Sequence, residues 1–165
     1  MVSCHNKTKV QQIFLMAFFD GAAQQRVCGC GFWLATSKEQ RYNVFCHHCR
    51  GTNTKAEVMA LCGLLWFIRF LDIPLIHIYA DYNIIIQHLK GYAKISNPLV
   101  LGWLTRIEQL WALLNNSTIN HVHREQNMAV DKLSKKGLTG SLGNMHLTIT
   151  MDQKTINIED FPLPA

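Results

Sequence analysis

The stretch GTNTKAEVMALCGLLWFIRFL, residues 51–71, decides how the rest of the chain is read. Turn residues at Gly51, Thr52, Asn53 and Thr54 give way to a run that is apolar on nearly every face of a helix. Thr54 followed by Glu57 has the S/T-x-x-E pattern of a capping box, which predicts the helix start. A helix apolar all round has to be covered on all sides, so the spacing predicts the central buried helix of a domain. Its charge-free part, Val58 to Ile68, is shorter than the roughly 20 residues a bilayer crossing takes. The opening MVSCHNKTKVQQIFLMAFFDG has no long apolar core region and no small-residue cleavage site. No membrane span and no signal peptide are therefore expected, and an intracellular protein of nucleus or cytoplasm is.

Upstream of the helix, IFLMAFF (13–19) is short, apolar and aromatic, which suits a strand buried on both faces, with Asp20-Gly21 read as a turn. Cys30 to Thr36 and Arg41 to His47 flank the polar SKEQ segment and read as a hairpin, giving three antiparallel strands in succession. Downstream, LIHIYA reads as a strand ending at Asp81, and Tyr82 to Leu89 as a short helix closed by Gly91. Asn97-Pro98 opens an amphipathic helix that Asn115-Asn116 ends. Thr118 to His123 is a last strand, and a helix from Met128 to about Lys136 stops at Gly137. The order β-β-β-α-β-α-α-β-α predicts an α/β mixed sheet with helices on its faces. The boundaries expected are an N-terminal extension over 1–12, the domain over 13–138, and a C-terminal extension over 139–165 able to form a short hairpin.

At 165 residues, with 48% hydrophobic and 16% charged residues, one packed domain is expected and extensive disorder is excluded. The formal charge of +5 and pI near 9.0 favour a polyanion as partner without singling one out. Six cysteines without a signal peptide are expected to be reduced thiols. The run Cys46-His47-His48-Cys49 has zinc-ligand types at close spacing, and a hairpin turning near Lys38-Glu39 puts Cys28 roughly opposite Cys49. No second CxxC or HxxxH follows to complete such a site.

Asp and Glu number only 11, so their placement carries weight. Asp20 closes the first strand, Glu57 stands in the first turn of the buried helix, Asp81 ends the strand LIHIYA, and Asp131 lies early in the last helix. Each has an ordinary explanation: a turn residue, half of a capping box, an N-cap, and a solvated partner of Lys132 or Lys135. Together they fall on the rim of an open α/β sheet, where such sheets carry their sites. Carboxylates gathered there repel unless cations lie between them, and hard divalent ions are the natural guests. Two such ions can activate a water and stabilise the leaving oxygen in phosphodiester hydrolysis.

Five segments then carry a resemblance: FFDGA at 18–22, CGCGFWL at 28–34, GTNTKAEVMAL at 51–61, IYAD at 78–81, and HVHREQNMAVDKLSKKGL at 121–138. In this order they resemble the type 1 ribonuclease H family, in particular plant ribonuclease-H-like domains of retrotransposon polyproteins and their free-standing relatives. The resemblance implies a five-stranded mixed sheet, three strands antiparallel and then two parallel. It implies two magnesium or manganese ions held by Asp20, Glu57, Asp81 and Asp131, and endonucleolytic hydrolysis of the RNA strand of an RNA/DNA hybrid. It further implies that Arg50, Thr52 and Asn97 hold a phosphate of the DNA strand and that Asn53 contacts ribose hydroxyls. A monomer is expected, with the hybrid as partner.

Three departures from the family pattern stand out. The turn after Asp20 is shortened to AAQQRV, lacking Gly-Asn-Pro-Gly. Tyr82 follows Asp81 where the family has serine. Only REQ separates the last strand region from Asn127, so His121 and His123 are left without a catalytic role. The competing readings are a nucleic-acid-binding domain derived from a retroelement that holds hybrid without cutting it, and a zinc-stabilised interaction module using Cys46 and Cys49.

Overall fold

Alternation along the first strand sets the layering. In the computed structural model, which describes residues 15–139 and 144–162 (backbone only for 48, 49, 144 and 157–162), β1 (Met16–Gln24) sends Ala17 and Phe19 to one face with no exposure. Phe18 goes to the other face, where it stacks on Trp33 at 4.6 Å and meets Tyr79 at 5.1 Å. Apolar residues on both faces are what a strand covered from both sides requires. The extension over 1–12, with Ile13 and Phe14, lies outside the described residues, as does the Cys49 side chain.

β1 runs straight through Asp20 and Gly21, so the turn expected there is corrected: the chain reverses at Gln25 and Arg26, whose φ angles are 53° and 67°. β2 (Val27–Ala35) returns antiparallel to β1, and β3 (Gln40–Arg50) antiparallel to β2. A register shift at Val27/Cys28 pairs Cys28 with His48.

The helix α1 (Asn53–Phe70) crosses one face of the sheet. Its N-cap is Thr52, whose hydroxyl accepts from the Lys55 amide at 3.3 Å, not Thr54. Glu57 is thereby one residue past the first turn and free of capping duty. Phe67 anchors α1 on the sheet, its ring 5.6 Å from Phe32 and 5.5 Å from Tyr42. β4 (His77–Ala80) adds parallel to β1, followed by α2 (Asn83–Leu89), which Gly91 closes at φ +80°. Asn97 caps a 3-10 turn (Pro98–Val100) through the Leu99 amide at 3.0 Å, and α3 (Leu101–Trp111) packs on α1. β5 (Thr118–His121) pairs parallel with β4, a 3-10 turn (Arg124–Asn127) follows, and α4 (Met128–Gly137) covers the opposite face over β1, β2 and β3.

The five-strand expectation is corrected as well. β6 (Asn144–Met151) and β7 (Lys154–Pro162) form a hairpin about Asp152 and Gln153, and β6 pairs antiparallel with β3. The sheet has seven strands in the order β5-β4-β1-β2-β3-β6-β7. The physical reason is the free edge of β3, whose unpaired amides and carbonyls the hairpin satisfies.

Candidate active site

Two helices from opposite faces reach the same end of β1, and glycines let them. A Cβ on Gly21 would overlap the Ala56 carbonyl group and the Glu57 amide nitrogen, so only glycine admits the second turn of α1 that close to the strand. On the other face a Cβ on Gly31 would meet the Ser134 backbone and lie 2.7 Å from Leu133 Cβ, which clears the approach of α4.

The carboxylates meet at that end. Asp20 is 5% exposed and Glu57 6%. Each of Asp20, Glu57 and Asp81 offers an oxygen within 4.8 Å of the other two. Asp131 lines the same cleft and is hydrogen-bonded to Asp20. The cleft is completed by Gly21, Asn53, Tyr82, His121, His123 and Arg124. Of the residues named from sequence, the four acids and Asn53 therefore share one cleft. Arg50, Thr52 and Asn97 are not in its lining: the Arg50 carbonyl accepts from Lys55 Nζ at 3.0 Å, and Thr52 and Asn97 serve as caps. Asn53 Oδ1 accepts from the Ala23 amide at 3.1 Å, tying the start of α1 to the end of β1.

Burial pushes the Asp20 carboxyl up to about 7, with the charges of Asp81 and Asp131 adding to it while the Glu57 hydrogen bond opposes. Glu57 goes up to about 10 through burial and the neighbouring Asp20. Burial also works upward on Asp131, but Lys135, with Nζ 2.8 Å from Oδ2, and the Asp20 hydrogen bond outweigh it and hold that carboxyl below its ordinary value. Glu57 Oε2 is buried with no hydrogen-bond partner. Three carboxyl groups this close, one of them with an oxygen left without a partner, are a donor set that fits a hard divalent cation.

Two supporting residues were not legible in the sequence. Ser134, fully buried, sets its hydroxyl 3.2 Å from Asp20 Oδ2 and 2.8 Å from the Asp131 carbonyl oxygen. Asn127 Nδ2 donates to the Phe19 carbonyl at 3.2 Å and fastens the start of α4 beside Asp20. Their signal is no more than one buried polar side chain at each end of a short amphipathic helix. His121 Nε2 is 3.2 Å from the Asp81 carbonyl oxygen, and Arg124 Nε is 3.9 Å from Asp81 Oδ2 with its side chain 90% exposed, a pair of small energetic weight.

Among the described residues no thiol belongs to a cluster of three metal-ligand types, and the Cys49 side chain of the zinc reading lies outside them. Cys46 is buried as the cross-strand partner of Cys30, and His47 Nδ1 is 2.6 Å from the Gly137 carbonyl oxygen. Among the described residues, the cluster of three candidate ligands is the carboxylate one.

A family model described as "Reverse transcriptase-like" matches residues 18–137, from the start of FFDGA to the end of α4. The chain belongs to the reverse transcriptase-like family. No curated protein matches it. Among solved structures, the fold of this reverse transcriptase-like chain is similar to RNase H1 from the halophilic archaeon Halobacterium salinarum NRC-1. The TM-score is 0.68 at 23% identity, over 75% of this chain and 96% of that one. It is also similar to the N-terminal RNase H domain of Rv2228c from Mycobacterium tuberculosis, with TM-score 0.66 and 18% identity over 75% and 94%. LC11-RNase H1, whose structure is in complex with an RNA/DNA hybrid, gives TM-score 0.66 and 18% identity over 75% and 96%. The reverse transcriptase-like chain thus has the ribonuclease H α/β fold with a two-strand addition at the β3 edge. Among its described residues no helix is long and apolar enough to cross a membrane.

Proposed function

We propose that this chain hydrolyses the RNA strand of an RNA/DNA hybrid with two divalent ions, magnesium or manganese, held by Asp20, Glu57, Asp81 and Asp131. The observation that carries the reading is the buried carboxylate cluster with Glu57 Oε2 orphaned inside it. Buried acids pushed this far up are an unfavourable arrangement for stability alone and a useful one for gripping cations. Divalent ions, when bound, would supply charge neutralisation at the phosphate and a water activated for attack. The chain's own part is to present the acids already assembled: Gly21 lets Glu57 up to Asp20, Ser134 orients Asp20, and Lys135 pairs with Asp131. Asn53, on the cleft wall, is positioned to accept or donate to a ribose hydroxyl, the group that separates RNA from DNA.

One observation favours the second reading, a domain that holds hybrid without cutting it. Tyr82 lines the cleft, its hydroxyl donating to Thr54 Oγ1 at 3.1 Å, so the ring bridges the end of β4 and the start of α1. Cleavage of a labelled hybrid, single-stranded RNA and duplex DNA in magnesium and in manganese separates the two readings. The expected result is cutting of the RNA strand of the hybrid alone, ended by EDTA. A folded protein that binds the hybrid but leaves it intact under both ions supports the second reading.

A further inference from the structure

The C-terminal half of α1 departs from the all-round covering that its composition predicts. Trp66 is half-buried, Phe70 is 67% exposed, and Leu113, just beyond α3, is 54% exposed. With Leu110 they form the walls of an open cleft of about 480 Å³ between α1 and the end of α3, with Arg69 and Arg106 also lining it. The charge in the lining is all positive. Asp72 borders only a smaller adjoining cavity of about 180 Å³ that shares Arg69, Leu110 and Leu113. Contiguous exposed apolar side chains rimmed by charge of one sign are the mark of an interaction surface.

The ring arrangement narrows the partner. Trp66 and Phe70 stack on each other at 5.5 Å and 19°, and Phe70 stacks in turn on the buried Phe67 at 6.4 Å. Rings engaged with one another offer edges and an aliphatic opposite wall rather than an open face for a base. Such walls suit an aliphatic or aromatic side chain of a peptide, and the two guanidinium groups suit carboxylates beside it. We infer that this cleft docks an acidic, amphipathic segment of a partner protein, with apolar anchors between Phe70 and Leu113 and carboxylates against Arg69 and Arg106. Glu57 and Phe70 stand toward opposite ends of α1, about 20 Å apart at a helical rise of ~1.5 Å per residue. A partner held here leaves the carboxylate cleft open, and the inference stands whether or not the chain cuts hybrid.

The test is selection of a random 16-residue peptide library displayed on phage against the whole chain. The expected result is enrichment of sequences that combine apolar anchors with Asp or Glu. Their synthetic peptides should lose at least tenfold in affinity on Phe70→Ser or Arg69→Glu and be indifferent to Asp81→Asn. Leu113→Ser carries the same test should Phe70→Ser fail to fold, judged by circular dichroism. No enrichment, enriched peptides without an acidic bias, or peptides that bind the cleft variants as tightly as the native chain overturn the inference. Cross-linking of single-stranded RNA to Trp66 also overturns it, in favour of a nucleic-acid surface.

Discussion

Gly21→Ala is expected to lower the melting temperature by roughly 6 °C or more, and Gly102→Ala to raise it. A methyl group on Gly21 meets backbone atoms of Ala56 and Glu57, which cannot rotate out of the way, so α1 has to retreat from β1. Overpacking of this kind costs about 1–3 kcal/mol and sometimes more, and a domain of this size loses roughly 2–4 °C per kcal/mol. The retreat also carries Glu57 away from Asp20. A displacement of about 1 Å in a catalytic group can cost about 100-fold in rate, which is the loss expected in hybrid cleavage. Gly102 lies in α3 with nothing within 4 Å of an added Cβ, so the same substitution there gains up to about 1 kcal/mol of helix propensity. Thermal melts of the two variants beside the native chain check the pair. A Gly21→Ala protein as stable and as active as the native one contradicts the steric role given to that glycine.

Asp20→Asn is expected to abolish cleavage while stabilising the protein in the absence of metal at pH 8. The Asp20 carboxyl is pushed up to about 7 and that of Glu57 to about 10, chiefly by burial, against ordinary values of 3.8 and 4.5. The folded state therefore binds these protons more tightly than the unfolded chain. Their contribution to stability is fully present below about pH 4 and is lost as the pH rises through 7 and on toward 10. Each unit of such a shift corresponds to about 1.4 kcal/mol, which sets an upper limit of roughly 4 kcal/mol for Asp20; with the neighbouring groups free to relax, removing its charge should return on the order of 1–3 kcal/mol at pH 8 and nothing near pH 4. Magnesium or manganese should raise the melting temperature of the native chain and leave the variant nearly unmoved. Melts across pH with EDTA and with each ion provide the check. A variant less stable than the native chain at pH 8 in EDTA contradicts the view that the acids repel one another there.

What could be read in the sequence followed from local chemistry. The three antiparallel strands, the buried helix and the β4 and β5 pair each carry their own periodicity, and acids at element ends on a sheet rim are visible as such. Asp20-Gly21 carries a turn signal in sequence, whereas Gly21 is a glycine for the sake of a helix that arrives more than thirty residues later. Thr52 and Thr54 both offer a hydroxyl to the helix start, and only the backbone path selects Thr52 as the cap. The hairpin of β6 and β7 alternates too weakly to say which edge it would join. Phe70 reads as core in a helix apolar on nearly every side and is exposed, because composition cannot tell which turn runs out of neighbours.

The most direct measurement is the single-turnover rate of hybrid cleavage by the native chain and by Asp81→Asn, in magnesium and then in manganese, with both proteins shown to be folded. Asp81 is half-buried and stands against Asp20 and Glu57, so the amide keeps the shape of the side chain and removes the charge. Cutting by the native chain is expected, with a loss of about 100- to 1,000-fold in the variant, the scale on which removing a stabilising group acts in hydrolytic sites. A native chain that cuts the hybrid equally well with Asn at position 81, or that binds it and never cuts, contradicts the two-ion nuclease.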